Sequence, residues 1–203
     1  MNLKKLLEMQ KPLREQIIKK HNLEGQDLFP NMNLALLVEV GELANNWRGF
    51  KHWSVDREPR TYSDEVCKDC QGYGRIENVN IPFGFEPVEI DCPKCKGQGI
   101  IEKNPLLEEY ADCLSFILEL GLETGLEIAD EYEQYQKANI SGQFLFLFDV
   151  TSFFYYHRNQ KSYERIIRVF LGLGAMLGFD WEQIEQAYLQ KNAINHQRQE
   201  EGY

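Results

Sequence analysis

The chain has 203 residues, 43% of them hydrophobic, and a formal net charge of −10 at pH 7. A chain of this length can bury one good core together with a small accessory unit. The acidic balance argues against direct binding to nucleic acid, which needs a basic surface. No apolar run is long enough to span a bilayer, and residues 1–20 lack the apolar core of a signal peptide. We therefore expect a soluble, cytoplasmic protein with no membrane partner.

Helical periodicity dominates the chain. Residues 1–20 carry an apolar stripe at helical spacing, although Pro12 must kink this helix or begin a new one. Pro30 stands where a helix start tolerates proline. Gly172 and Gly174 fall inside a later helical stretch, where they either weaken the helix or mark a close helix contact. The predicted fold class is all-α, a helical bundle with further helices over residues 31–48, 105–124, 141–157, 162–177 and 180–199.

Residues 55–104 break this helical pattern. They contain four prolines and many glycines, and residues 75–79 alternate in polarity as a β-strand does. We interpret the segment as a small loop-and-hairpin unit. It is inserted into one helical domain, which comprises residues 1–54 and 105–203.

The insert carries two Cys-x-x-Cys motifs. Cys67 and Cys70 form the first, Cys92 and Cys95 form the second, and each is followed by Gly-x-Gly at the same spacing. Four thiolates in two such motifs can surround a structural zinc ion as a tetrahedron. The alternative is two disulfides, which a reducing cytosol disfavours. The repeated Cys-x-x-Cys-x-Gly-x-Gly resembles the zinc-binding repeat of the DnaJ chaperone's cysteine-rich region.

Two pairs of carboxylates lie in apolar helical stretches. Glu39 and Glu42 form one pair, Glu109 and Asp112 the other, and residues three apart share a helix face. Charges on a core-facing stripe are costly unless something compensates them, and two facing acidic pairs would repel each other. A hard cation such as Mg²⁺ between the pairs would relieve that repulsion. The pattern therefore predicts a site for metal-dependent phosphate chemistry.

The spacing of the carboxylates does not by itself identify a site. Glu182 and Glu185 have the same spacing in a stretch that we predict to be solvated. An exposed acidic edge is therefore the alternative for either pair alone. The apolar context and the presence of two pairs favour the metal site. Cys113, next to the second pair, is predicted to be a buried packing residue.

Two features of the last helices bear on substrate and assembly. Lys191, Asn195 and Arg198 fall on one face of the final helix, where they would suit a polyphosphate and a sugar hydroxyl. A solvated polar stripe is the alternative. The aromatic residues between Phe144 and Tyr156 cannot all point inward on one helix, so we expect some to be buried against a second copy of the chain.

Three segments together resemble the dimeric, all-α dUTPases. Residues 35–47 (ALLVEVGELANNW) followed by 50–53 (FKHW) are similar to the first metal motif of these enzymes, and residues 108–116 (EEYADCLSF) to the second. Residues 187–195 (AYLQKNAIN) with 198–203 (RQEEGY) resemble their C-terminal motif. These enzymes belong to the all-α nucleoside triphosphate pyrophosphatase superfamily. The resemblance covers the whole chain except the insert.

The resemblance implies a reaction, a cofactor and an assembly. The family hydrolyses dUTP, and usually dUDP, to dUMP, and its members are homodimers. It uses Mg²⁺, which Mn²⁺ can replace, and the ions activate a water for attack on the phosphate chain. The catalytic residues, which also hold the magnesium, match Glu39, Glu42, Glu109 and Asp112.

The resemblance also implies the substrate contacts. Lys191, Asn195 and Arg198 match residues that hold phosphate and sugar. Gln10 matches an amide that contacts the edge of uracil. Trp47 or Trp53 is a candidate for packing on the base, and Lys51 for a phosphate contact.

Two other functions compete with this one. A related pyrophosphatase could act on another deoxynucleoside triphosphate such as dCTP, since the metal motifs are common to the superfamily. A non-catalytic adaptor that presents a zinc knuckle would explain the insert. It would leave the paired carboxylates and the final helix unexplained.

Overall fold

The computed structural model describes residues 2–78, 88–129 and 131–202. These residues form six α-helices and two small antiparallel sheets, which confirms the all-α fold class. Val79 and Tyr203, the last residues of two of the predicted segments, lie outside the described residues. The helices are α1 (Leu3–Lys20), α2 (Phe29–Trp47), α3 (Pro105–Thr124), α4 (Ile140–Tyr156), α5 (Gln160–Met176) and α6 (Trp181–Glu201). The strands are β1 (Ser63–Val66), β2 (Arg75–Asn78), β3 (Val88–Asp91) and β4 (Ile100–Lys103).

Local signals set most helix ends. Helix α1 continues through Pro12, so no new helix begins there. Helices α2 and α5 each begin two residues earlier than predicted. At α5 the side chain of Asn159 caps the helix by accepting a hydrogen bond from the Ser162 backbone N–H. The side chain of Asp180 caps α6 in the same way, by accepting from Gln183. Helix α3 has its predicted bounds.

The helical unit comprises Met1–Pro59 and Leu106–Tyr203, and one hydrophobic core runs through it. Three of its largest buried side chains are tyrosines with hydrogen-bonded hydroxyls: Tyr110 donates to the backbone carbonyl of Phe170, Tyr163 to that of Ile117, and Tyr188 to the side-chain oxygen of Gln10. These bonds offset the cost of burying a hydroxyl. Cys113 is fully buried in this core, as predicted.

Close packing explains the two glycines inside α5. A Cβ on Gly174 would lie 2.4 Å from the hydroxyl oxygen of Tyr110 on α3. A Cβ on Gly172 would lie 2.0 Å from the backbone oxygen of Tyr135. Both positions therefore exclude any larger residue. The predicted close helix contact is confirmed at Gly174, and Gly172 contacts the segment before α4.

The second compact unit comprises Arg60–Pro105. Strand β1 pairs with β4, with Ser63 opposite Lys103, and β2 pairs with β3, with Arg75 opposite Asp91. The described buried hydrophobic residues of this unit are four cysteines, against which Ile76 and Ile101 pack partly buried.

Among the described residues, no helix combines the length and the apolar character that crossing a membrane requires.

Candidate active site

Three carboxylates from two helices converge in the helical unit. Glu39 of α2 and Glu109 and Asp112 of α3 each offer an oxygen, and these three oxygens lie within 4.8 Å of one another. Each side chain is partly buried. Asn46 of α2 donates a hydrogen bond from Nδ2 to Glu109 Oε1 at 3.2 Å, which helps to orient that carboxylate. Glu42 is exposed and is not a member of this group of three.

The local electrostatics penalise ionisation of these carboxyls. Burial raises the pKa of Glu39 to about 7, and the negative charges of Asp112, Glu42 and Glu109 act in the same direction. Burial also raises the pKa of Glu109 and that of Asp112. Partly buried carboxylates that repel one another at short range fit a hard cation, which takes oxygen ligands and neutralises their charge.

This electrostatic cost predicts how stability depends on pH without added divalent metal. The folded protein binds the Glu39 proton more tightly than the unfolded chain, because the pKa rises from 4.5 to about 7 on folding. The free energy of unfolding should therefore fall as pH rises through that window. Glu39→Gln removes the ionisable group, so the variant should exceed the parent in stability at about pH 8 and resemble it at about pH 5. Urea unfolding at both pH values measures this, and a variant less stable than the parent at the higher pH would contradict it.

Helix α6 brings positive charge to the carboxylates. Lys191 Nζ lies 2.6 Å from Asp112 Oδ2, and both side chains are partly buried. This hydrogen bond and the charges of Lys191 and Arg198 oppose the rise that burial causes in the pKa of Asp112. The structure thus places Lys191 directly on one of the three carboxylates, and Arg198 close enough to act on it.

A cavity of about 280 Å³ lies beside the carboxylates. Asp112 belongs both to the carboxylate group and to the lining of the cavity, so the two are adjacent. Gln10, Asn195 and Arg198, all predicted substrate contacts, also line it. The remaining lining residues are Leu13, Arg14, Ile17, Ile18, Leu28, Met32, Ser115, Phe116, Glu119 and Gln199.

A buried polar network that the sequence analysis missed holds Gln10. Gln10 Nε2 donates to Glu119 Oε1 at 2.7 Å, and Gln10 Oε1 accepts from the Tyr188 hydroxyl at 2.5 Å. Arg14 Nη1 donates to the other oxygen of Glu119 at 2.7 Å, and Arg14 Nη2 donates to Glu123. One signal could have found the network: Glu119 lies seven residues after Asp112, on the same face of an apolar helix.

Four predicted substrate contacts do not line this cavity in the described part of the chain: Lys191, which contacts Asp112, and Trp47, Trp53 and Lys51. Trp47 packs against Phe50 and Phe144, with ring centroids 6.5 and 5.4 Å apart. Trp53 is 68% exposed and contacts Phe50 edge-on, and Lys51 Nζ lies 5.6 Å from the centre of the same Phe50 ring. The aromatic side chain that does line the cavity is Phe116, which the sequence analysis did not select.

The four cysteines of the second unit also converge. All are buried, and their sulfurs lie within 4.8 Å of one another, with Sγ–Sγ distances of 3.8 Å for Cys67–Cys92 and 3.6 Å for Cys70–Cys95. A zinc tetrahedron with Zn–S bonds of about 2.3 Å has edges of about 3.8 Å. All four cysteines are free, so the structure does not support the disulfide alternative.

Backbone amides complete the cysteine cluster. Gly74 donates to Cys70 Sγ and Gly99 to Cys95 Sγ, each at 3.2 Å. The two glycines have φ angles of +75° and +76°, and a Cβ on either would lie 2.2–2.3 Å from a backbone oxygen of the opposite motif. Such amide bonds orient thiolates and stabilise their charge, which suits a metal-binding cluster.

A comparison with known protein families identifies the family to which the chain belongs. A family model described as dUTPase matches residues 2–66 and 96–203. The chain belongs to the dUTPase family. As a member it hydrolyses dUTP, so the non-catalytic adaptor does not account for the chain. The unmatched segment runs from Cys67 to Cys95, the first and last residues of the cysteine cluster. A comparison with curated protein sequences finds no significant match.

Proposed function

We propose that this enzyme converts dUTP to dUMP and pyrophosphate, and dUDP to dUMP and phosphate, with Mg²⁺ held by Glu39, Glu109 and Asp112 and assisted by Glu42. The observation that carries the proposal is the convergence of three partly buried carboxylates from two helices beside a cavity. When bound, magnesium or manganese supplies positive charge for the phosphate oxygens and lowers the pKa of the attacking water.

The side chains of α6 would receive the phosphate chain and sugar. Lys191 now donates to Asp112, and a phosphate oxygen offers it a second acceptor at the same place. Arg198 lines the cavity next to Asp112 and can hold phosphate oxygens with its guanidinium. Asn195 lies in the same lining and presents an amide suited to a sugar hydroxyl.

The cavity would hold the nucleoside. Its lining combines apolar side chains such as Phe116 with a few polar groups, which is the usual composition of a small-molecule site. Gln10 would contact the uracil edge from this lining. Trp47, Trp53 and Lys51 stay candidates for further contacts with base and phosphate.

A panel of nucleotides tests the substrate assignment. Release of dUMP from dUTP and dUDP is compared with hydrolysis of dCTP and dTTP at saturating Mg²⁺. The proposal expects both uracil nucleotides to be preferred. A preference for dCTP would keep the chemistry and establish the alternative pyrophosphatase instead.

The cysteine cluster is proposed to hold one structural zinc ion through Cys67, Cys70, Cys92 and Cys95. Its buried sulfurs, its spacing and the two amide hydrogen bonds support this. Four reduced thiols agree with a cytoplasmic location, where disulfides are rare.

A homodimer is the proposed assembly, and an apolar face on α2 and α4 supports it. Leu34 and Tyr156 are 62% and 78% exposed, and they line a groove of about 240 Å³ together with Asn33. The Oδ1 atom of Asn33 is buried and has no hydrogen-bond partner among the described residues. A second copy would cover the apolar side chains and could supply the missing donor.

Light scattering at micromolar concentration should therefore give twice the chain mass of 23.8 kDa. Leu34→Glu places a charge in the groove and should shift the protein toward monomer. Val55→Glu changes another exposed apolar residue, which lies outside the groove, and should leave the dimer intact. A monomeric parent would contradict the assembly.

A further inference from the structure

The amide of Gln10 is held in the cavity lining by hydrogen bonds at both its nitrogen and its oxygen. The residue is 3% exposed, and its two amide atoms contact different helices: Nε2 contacts Glu119 of α3 and Oε1 contacts Tyr188 of α6. Each atom keeps one further hydrogen-bonding position, since the nitrogen has a second hydrogen and the oxygen a second lone pair. Those positions can serve a ligand in the cavity that Gln10 lines.

Glu119 determines which way this amide points. Its Oε1 faces the Gln10 amide nitrogen at 2.7 Å, and its Oε2 faces the Arg14 guanidinium at 2.7 Å. Both oxygens thus meet donors, and an ionised carboxylate can only accept. If the Gln10 amide were reversed, its oxygen would face a carboxylate oxygen in a buried place, with two acceptors and no hydrogen between them.

Tyr188 does not impose this direction. Its hydroxyl lies 2.5 Å from Gln10 Oε1 and 3.1 Å from the backbone oxygen of Leu6. In the reversed orientation the same hydroxyl could donate to Leu6 and accept from the Gln10 N–H. Tyr188 would therefore be satisfied either way, and only the carboxylate of Glu119 distinguishes the two orientations.

We propose that Glu119 is a positioning residue that fixes the Gln10 amide in one orientation and thereby makes the enzyme prefer uracil to cytosine. This rests on the proposed placement of the base in the cavity beside Gln10. The edges of the two pyrimidines differ in the order of their groups. Uracil presents an acceptor and then a donor at positions 4 and 3, whereas cytosine presents a donor and then an acceptor. An amide that pairs with one edge must be reversed to pair with the other.

Glu119→Gln tests the role with little change of size. Because Arg14 can only donate, the new amide keeps its oxygen toward Arg14 and turns its nitrogen toward Gln10, which favours the reversed orientation of Gln10. We expect the ratio of kcat/KM for dUTP to that for dCTP to fall about tenfold to a hundredfold, because mismatched buried hydrogen-bonding groups cost that much in discrimination. Activity on dCTP should rise, which a merely structural loss would not produce.

Glu123→Gln is the matched control. Glu123 also pairs with Arg14 and is as buried as Glu119, but Gln10 does not bond to it. Its replacement should change stability in a similar way and leave the dUTP/dCTP ratio within about twofold of the parent. Tyr188→Phe should likewise keep the dUTP/dCTP ratio.

If Glu119→Gln does not fold, the double variant Arg14→Met/Glu119→Gln, which leaves no unpaired guanidinium, provides the same test.

The outcomes separate this inference from the function on which it rests. An active Glu119→Gln enzyme with an unchanged ratio overturns the role of Glu119. A Gln10→Ala variant with an unchanged dUTP/dCTP ratio also overturns the role of Glu119, because Gln10 then does not contact the base. The proposed hydrolysis of dUTP is not affected by that result. A parent enzyme without metal-dependent dUTP turnover would instead overturn the proposed function itself.

Discussion

Glu39→Gln should lower the turnover of dUTP by about a thousandfold or more. The substitution keeps the size of the side chain but removes one charge from the group of three converging carboxylates. Stabilisation of phosphate charge by a metal ion is worth several kcal/mol, and each 1.4 kcal/mol is about tenfold in rate. The helices should stay folded, because ionisation of Glu39 is unfavourable in the protein without added metal. Steady-state rates at saturating Mg²⁺, with circular dichroism as the check on folding, measure the effect.

Glu182→Gln is the control for this variant, since Glu182 lies in the other Glu-x-x-Glu of the chain. Glu182 is exposed, and its neighbour Glu185 pairs with Lys5 at 2.5 Å instead of joining a carboxylate group. The dUTP turnover rate of Glu182→Gln should stay within about twofold of the parent, as for most surface substitutions. Near-parental activity in Glu39→Gln would mean that the carboxylate group is not the metal site.

Arg198→Ala should weaken substrate binding and turnover together, through loss of a phosphate contact.

Cys92→Ser should abolish zinc binding and unfold the inserted unit. The described core of this unit consists of the four cysteines with Ile76 and Ile101 packed against them, so little apolar burial remains once the metal is lost. Structural zinc contributes about 10–16 kcal/mol of apparent binding free energy in small domains, and that energy is folding energy. Elemental analysis should find one zinc per chain in the parent and almost none in the variant. Limited proteolysis should show new cleavage within Arg60–Pro105.

Most of the helical signal should survive in Cys92→Ser, because all six helices of the described residues lie in the other compact unit apart from the first residue of α3. Cys113→Ser is the control. It removes a buried thiol from the helical core and should leave the zinc content unchanged. A parent purified without chelator that contains no zinc would contradict the account of the cluster.

Much of the fold and of the candidate site could be predicted because their signals are local. Glu109 and Asp112 share a face of one helix, and that spacing is readable from the sequence. The two cysteine pairs can also be read from the sequence, because each pair forms a short motif with glycines after it, and two such motifs predict one four-cysteine cluster. A helix start can be predicted where an N-cap such as Asp180 follows a stop signal, whereas α5 begins two residues before its predicted start because Asn159 caps it.

The features of the site that could not be predicted depend on contacts between residues that are far apart along the chain. The hydrogen bond between Gln10 and Glu119 joins positions 109 apart, and no local pattern shows that these two side chains meet. Glu42 has the spacing of a fourth ligand, yet the packing of α2 leaves it exposed while Glu39 is turned toward α3. Trp53 is the last residue of the first motif, but the turn after α2 leaves it at the surface.

The role of the three carboxylates as a magnesium site is tested by the rate of dUTP hydrolysis as a function of Mg²⁺ concentration, measured on zinc-containing protein that has been dialysed free of magnesium. We predict no turnover without a divalent ion, restoration of dUMP and pyrophosphate release by Mg²⁺ or Mn²⁺, and loss of that restoration in Glu39→Gln but not in Glu182→Gln. A parent rate that does not depend on added metal, or a Glu39→Gln variant that Mg²⁺ restores as fully as the parent, would show that these carboxylates do not hold a catalytic metal ion.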